Sequence, residues 1–180
     1  MRRVIGFHGP IGHGKTTAAE ILVKDFGYHR VSFADALRDV CWRVYEPLGL
    51  PRSALYGSQA EKAAEHEIAG ARTSGRRILQ LVGTEGFRAA TPDVWADLGV
   101  QRCGVHFYAV FDDVRFENEA AAIRRAGGLV IHLRRMDRDV EIKHASDEPL
   151  RKQNGDVMLV NPGGPTGLAV LRDHLHQIMF

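Results

Sequence analysis

The stretch Gly9-Pro10-Ile11-Gly12-His13-Gly14-Lys15-Thr16 constrains this chain more than any other. Before it, Val4-Ile5-Gly6-Phe7 is an apolar run suited to a buried strand. After it, Ala18, Ala19, Ile21, Leu22 and Val23 mark the apolar face of a helix. Strand, glycine-rich loop and helix thus follow in that order. Glycines let the backbone curl until successive N–H groups point inward, which makes an anion nest. The helix behind it adds N–H groups without intrahelical partners and the positive end of its dipole. The spacing is G-x-x-x-x-G-K-[ST], the Walker A pattern. It implies that Lys15 reaches the β- and γ-phosphates of a nucleotide and that the Thr16 hydroxyl ligates Mg2+.

The rest of the chain reads as a single α/β domain over residues 1–180. Strands are predicted at 3–8, 29–33, 106–111, 128–133 and 157–160, and helices at 15–26, 34–46, 59–69, 75–89, 93–99, 115–126 and 166–178. Their alternation predicts a mostly parallel sheet. The stretches 49–58 and 162–165 read as breaks. A net charge of +2 gives no global argument for nucleic acid, so no stable nucleic-acid partner is expected. The apolar start is too short to span a membrane, and no membrane partner is expected. Cys41 and Cys103 lack C-x-x-C or metal spacing and read as reduced, buried thiols of a cytoplasmic protein. His174 and His176, two apart on a helix, point to different faces and do not suggest zinc.

Three further stretches carry candidate chemistry. In "VSFADALRDV" (31–40), Asp35 can N-cap the next helix, and Arg38, one turn on, reads either as a ligand in the crevice above the strand ends or as a solvated arginine. In "SGRRILQLVGTEGFR" (74–88), an unbroken helix would put Arg77, Gln80, Thr84 and Arg88 on one face, with Arg76 beside it. Arginines and a glutamine suit a phosphate and an amide-edged base. In "FYAVFDDVRFENEAAAIRRAGG" (107–128), Asp112 and Asp113 end a strand where a carboxylate can hold a Mg2+ water. Glu117 and Glu119 fit the positive end of the following helix. Finally, the segment 133–149 carries Arg134, Arg135, Arg138, Lys143 and His144 without an apolar stripe. It reads either as a solvated loop or as an arginine-bearing lid, since phosphoryl transfer needs cations and closure more than a strong base.

Together, "GPIGHGKTT", "FADALRD", "RRILQLVGTEGFR" with Trp95 beyond, "FDDVRFENEAAAIRRAGGLVIHLRR", "HASDEPL" and "VNPGGPTGLAVL" resemble the phage-type deoxynucleoside monophosphate kinases. The resemblance implies a three-layer α/β/α P-loop NTPase sandwich with a five-stranded parallel sheet and a short arginine-rich lid. Acceptor-binding helices would fall at 34–100 and the lid at 134–148. ATP would be held by Gly9, Gly12, His13, Gly14, Lys15, Thr16 and Thr17, with Asn161 bordering the adenine. The acceptor would be held by Asp35, Arg38, Arg76, Gln80, Gly83, Thr84, Trp95, Asp113 and Arg115. Lys15, Arg134, Arg135 and Arg138 would act on the transferred group, and Thr16 and, through water, Asp113 would hold Mg2+. The loop ends Lys-Thr-Thr where several relatives have Lys-Asp-Thr, and the span from Arg38 to Arg76 is shorter than in the best-known relatives.

The activity so implied is ATP-dependent phosphorylation of deoxynucleoside 5′-monophosphates to diphosphates, in the host cytoplasm if the chain is phage-encoded. Its partners would be a deoxynucleoside monophosphate and ATP, with a homodimer left open. Two other readings stand beside it: a kinase of another acceptor (a nucleoside, a modified base in DNA or a coenzyme precursor) and a nucleotide-dependent switch. Arg38, Arg76 and Arg115 favour an acceptor that bears a phosphate. A GTP switch would require Asn-Lys-x-Asp, which the sequence lacks.

Overall fold

The computed structural model describes residues 4–104, 108–137, 150–164 and 166–180. Its first strand, β1 (Val4–His8), is buried along its whole length. Ile5 and Phe7 face one side of the sheet and Gly6 the other, as the period-two alternation of a strand requires. After the glycine-rich loop comes α1 (Lys15–Phe26), closed by Gly27 at φ 71. Next are β2 (His29–Val31) and α2 (Ala34–Tyr45), a single 3-10 turn (Glu46–Leu48), and the short helices α3 (Ser53–Tyr56) and α4 (Gln59–Ala63). A hairpin of β3 (Glu65–Ile68) and β4 (Ala71–Ser74) leads to α5 (Gly75–Gln80), a π-helix (Leu81–Arg88) and α6 (Val94–Cys103). The chain ends with β5 (Ala109–Val114), α7 (Glu117–Arg125), β6 (Leu129–Arg135), β7 (Val157–Asn161) and α8 (Gly167–Met179).

Five strands form one sheet in the order β2-β5-β1-β6-β7, and every neighbouring pair is parallel. The chain fills one side of β1 first and the other side later. Such a reversal leaves a crevice at the carboxyl ends of the strands, where ligands bind in doubly wound sheets. Helices α1 and α8 cover one face, closing a core of Ile5, Phe7, Leu22, Val110, Ile131 and Leu171. On the other face Ile123 of α7 packs over Gly6, where a Cβ would collide with it. The predicted α/β sandwich with a five-stranded parallel sheet is therefore the observed one.

The chain divides into two compact units: residues 1–33 with 99–180, and residues 34–98. The second has its own small core, including Leu37, Leu55, Ile78 and Trp95. In the first, the two ends of the excursion meet. A Cβ on Gly99 would overlap the Phe33 ring, and that ring stacks on Phe111 with centroids 4.1 Å apart.

Several boundaries differ from expectation. The helix expected at 59–69 stops at Ala63, and the chain turns into the hairpin through Ala69 (φ 50) and Gly70 (φ 78). The helix expected unbroken over 75–89 changes to π geometry at Leu81. The third strand of the sheet runs Ala109–Val114 rather than 106–111. Asp35 is not the cap of α2: the helix begins at Ala34, so Asp35 lies in its first turn. Cys41 and Cys103 are both buried, and burial pushes both thiols up to about 11. Among the described residues, no helix is long and apolar enough to cross a membrane.

Candidate active site

The loop between β1 and α1 lies at the carboxyl end of the central strand and owes its shape to its glycines. Gly9 sits at φ 149, and a Cβ there would overlap the carbonyl oxygen of Leu133. Gly14, at φ 98, immediately precedes α1, and a Cβ there would stand 2.7 Å from Asn161 Nδ2. Neither conformation suits a residue with a side chain. The Lys15 ammonium arches back over the loop and donates to the carbonyls of Gly9 (2.6 Å) and Pro10 (2.8 Å). Thr16 and Thr17 begin α1 beside it and are exposed.

Thr16 Oγ1 donates to Asp112 Oδ2 at 2.7 Å, and Arg30 Nη2 donates to the same oxygen at 2.7 Å. The expected metal-side carboxylate was Asp113. The structure instead brings its neighbour, the buried Asp112, to the loop threonine, while Asp113 accepts from the Ser32 hydroxyl and, at 3.1 Å, from the Phe33 N–H. Alternation explains the difference. Asp112 shares the α1 face with Val110, and Asp113 points to the opposite face. Arg30 was not foreseen. Its only cue is a cation on a short strand, and it becomes informative once the register pairs Arg30 with Val110, two residues short of Asp112.

On the other side of the loop, His13 Nδ1 accepts the Arg135 N–H at 3.0 Å. Asn161 Nδ2 donates to the His13 carbonyl at 3.3 Å, and Asn161 Oδ1 accepts from the Gly163 N–H at 3.0 Å. Asn161 was expected to border an adenine; in the structure it is buried and braces both the loop and the turn after β7. Arg134 is exposed, and Arg135 forms a two-pronged pair with Asp137 at 2.5 and 2.9 Å. Of the expected lid at 134–148 only 134–137 are among the described residues; Arg138, Lys143 and His144 lie outside them.

A buried polar chain backs the loop. His8 Nδ1 is 3.1 Å from the Val114 carbonyl, and His8 Nε2 accepts the Leu150 N–H at 3.1 Å, so the ring is neutral with its proton on Nδ1. Burial holds its pKa below the usual 6.5, against the Val114 bond and helped by nearby His132 and Lys15. His132 Nε2 lies 3.0 Å from Asp156, which also takes two bonds from Arg124. Burial alone would raise the Asp156 carboxyl, but the bonds from Arg124, the Gln153 N–H and His132 outweigh it and bring it down to about 2. Glu119 accepts from the N–H groups of Arg115 (2.8 Å) and Phe116 (3.1 Å) and so closes the start of α7, the structural role expected for it. The Arg115 side chain is exposed there.

Residues 34–98 hold the other candidates. Arg38 Nη1 donates to Asp35 Oδ1 at 2.7 Å. Arg76 is exposed and donates to Gln59 Oε1 at 2.9 Å. Gln80 and Thr84 are exposed, Gln80 at the end of α5 and Thr84 within the π-helix. Gly83 is buried, and a Cβ there would stand 2.6 Å from Leu37 Cδ2. Trp95 is buried, with its indole N–H on the Gly83 carbonyl at 3.0 Å. Gly83 and Trp95 thus form one packed unit that fixes the π-helix.

A model of the family described as deoxynucleotide monophosphate kinase matches residues 52–169. A protein of Acanthamoeba polyphaga mimivirus, provisionally assigned as a deoxynucleotide monophosphate kinase, is 32% identical over 173 residues, covering 88% of each chain. The chain belongs to the deoxynucleotide monophosphate kinase family.

Proposed function

We propose that this kinase transfers the γ-phosphoryl group of ATP to the 5′-phosphate of a deoxynucleoside monophosphate, giving ADP and a deoxynucleoside diphosphate. The observation that carries the reading is the glycine-rich loop at the carboxyl end of the central strand, with Lys15 over it and Thr16 bonded to a buried carboxylate. An acceptor phosphate oxygen is already a nucleophile at neutral pH, so no general base is needed. It attacks the γ-phosphorus in line while the bond to the β–γ bridging oxygen breaks.

The backbone N–H groups of Gly9 and of Gly12 to Thr17 would hold the donor phosphates. The Lys15 ammonium, now on two loop carbonyls, is within side-chain reach of an anion in the nest. Arg134 and Arg135 would neutralise charge on the transferred group. Residues 34–98 would take the acceptor, with Arg38 and Arg76 on its phosphate and Gln80 and Thr84 toward the nucleoside; Arg115, at the start of α7, is a further acceptor residue of this reading.

Mg2+ fits the donor set. A hydroxyl and a carboxylate 2.7 Å apart are hard oxygen donors, and Mg2+ commonly takes one or two such groups and completes its shell with water and phosphate. Thr16 would ligate it, and Asp112, rather than Asp113, would hold it through water. When bound, Mg2+ would supply positive charge to offset that of the nucleotide phosphates beside Thr16 and Asp112. Among the described residues there is no group of three or more His, Cys, Asp or Glu that could hold a metal.

The test is a screen for ADP release over all deoxy- and ribonucleoside monophosphates, with nucleosides and oligonucleotides as controls. Turnover with one or more deoxynucleoside monophosphates is expected. Turnover with nucleosides or oligonucleotides alone would overturn the reading.

A further inference from the structure

A buried histidine inside a phosphate loop calls for an explanation, and His13 is only 1% exposed. Its surroundings supply one. β1 ends at His8, opposite His132, but β6 continues three residues further, to Arg135. On that side the last residues of β6 run past the end of their neighbouring strand. The loop takes that strand's place. Gly9 packs on the Leu133 carbonyl, and His13 Nδ1 accepts the Arg135 N–H at 3.0 Å. This bond requires an acceptor at Nδ1, which puts the ring proton on Nε2. A partly buried N–H left without it would cost free energy, so the contact fixes the backbone at Arg135 to the loop.

We propose that His13 is a positioning residue for phosphoryl transfer. Its ring fixes the end of β6, from which Arg134 and Arg135 project, at a set distance from the phosphate loop. The inference rests on the reading of the loop as the ATP site and of these arginines as partners of the transferred group. It adds that the loop sets their position through one side-chain acceptor. The bond from Asn161 to the His13 carbonyl holds the same loop residue from β7. His13 is thereby held from both β6 and β7.

The test compares His13→Leu with His13→Asn, whose Oδ1 can occupy the place of Nδ1. Each is measured in the native chain and in an Arg134→Ala/Arg135→Ala background. Readouts are kcat, both KM values and amide hydrogen exchange at Arg135. His13→Leu is expected to lower kcat about tenfold, as loss of alignment without loss of a reacting group does. Acceptor KM should move less than about twofold, and the Arg135 amide should exchange faster. His13→Asn should recover most of the rate and the protection. In the arginine-free background His13→Leu should change kcat by less than about twofold, because its effect passes through those side chains.

Equal loss in both backgrounds, equal impairment of the two variants, or unchanged exchange at Arg135 in His13→Leu would each overturn the proposal. Should His13→Leu fail to fold, His13→Ala takes its place in every arm. A native protein inactive on all monophosphates would instead defeat the reading of function, while the exchange measurement would still test the bond.

Discussion

The loop of residues 9–17 and the segment 34–98 solve the placement of site residues in opposite ways. The loop is short, and the sheet determines it. Leu133, Arg135 and Asn161 from β6 and β7 close on one side of it and Asp112 from β5 on the other. The segment 34–98 is assembled from short pieces, none longer than α2, around a core of its own. Its candidate site residues depend on local contacts: Arg38 on Asp35, Arg76 on Gln59, Gly83 on Trp95. Parallel strands impose positions on whatever follows them, whereas short helices need a specific partner at each step. Donor and acceptor functions should therefore fail differently when mutated.

The largest separation should come from the loop. Lys15→Ala should fold normally and lower kcat by at least about 100-fold, the scale of losing a charge partner of the transition state. Near-normal turnover in a folded variant would remove the loop from the chemistry.

Arg76→Ala and Arg115→Ala should raise acceptor KM about tenfold, the scale of one charged hydrogen bond, and leave ATP affinity almost unchanged. A fall in ATP affinity instead would mean that the two roles are exchanged. Asp112→Asn should raise the Mg2+ concentration needed for half-maximal rate several-fold, and more than Asp113→Asn does, since Asp112 is the carboxylate at Thr16. The reverse order would restore Asp113 as the metal-side acid.

Gly83→Ala should cost about 1 kcal/mol, because the new methyl must displace Leu37 from a packed core. Acceptor KM should rise with it while ATP binding holds, as read by calorimetry beside thermal melts.

The smallest effects concern pH and belong to the sheet. His8 has a folded pKa below 6.5, so protons bind the unfolded chain more readily, and stability should begin to fall as pH drops below 6.5. Asp156 is depressed from 3.8 to about 2, so its contribution is present above 3.8 and is lost as pH falls toward about 2. Melting His8→Asn and Asp156→Asn across pH should flatten the upper and lower windows respectively. A native melting temperature constant from pH 7 to 3 would contradict both.

The same contrast explains what was legible in the sequence. The apolar run Val4–Phe7, the spacing of the loop glycines and the helical recurrence of apolar residues in α1 are all local patterns, so fold class and loop could be read directly. The partners Arg30 and Asp112 depend on register between strands far apart in sequence, and which of two adjacent aspartates faces the loop depends on the alternation of β5 against α1. In 59–69 the helical pattern runs on through Glu65–Ile68, although Ala69-Gly70 followed by Ala71–Ser74 has the form of a two-residue hairpin turn. The break at Leu81 had no local cue at all; it accompanies packing of Gly83 on Leu37 and Trp95, which only the folded unit reveals.

The contact between Phe33 and Gly99 has a consequence for how such enzymes can diversify. A polypeptide that departs and rejoins at one point behaves as a cassette, and insertions of that kind disturb their host little when their ends already touch. Exchanging residues 34–98 for the corresponding stretch of a relative should transfer base preference wholesale while the host retains its ATP affinity. Selection could then retune which nucleotide is accepted without touching the part of the gene that encodes the phosphate loop.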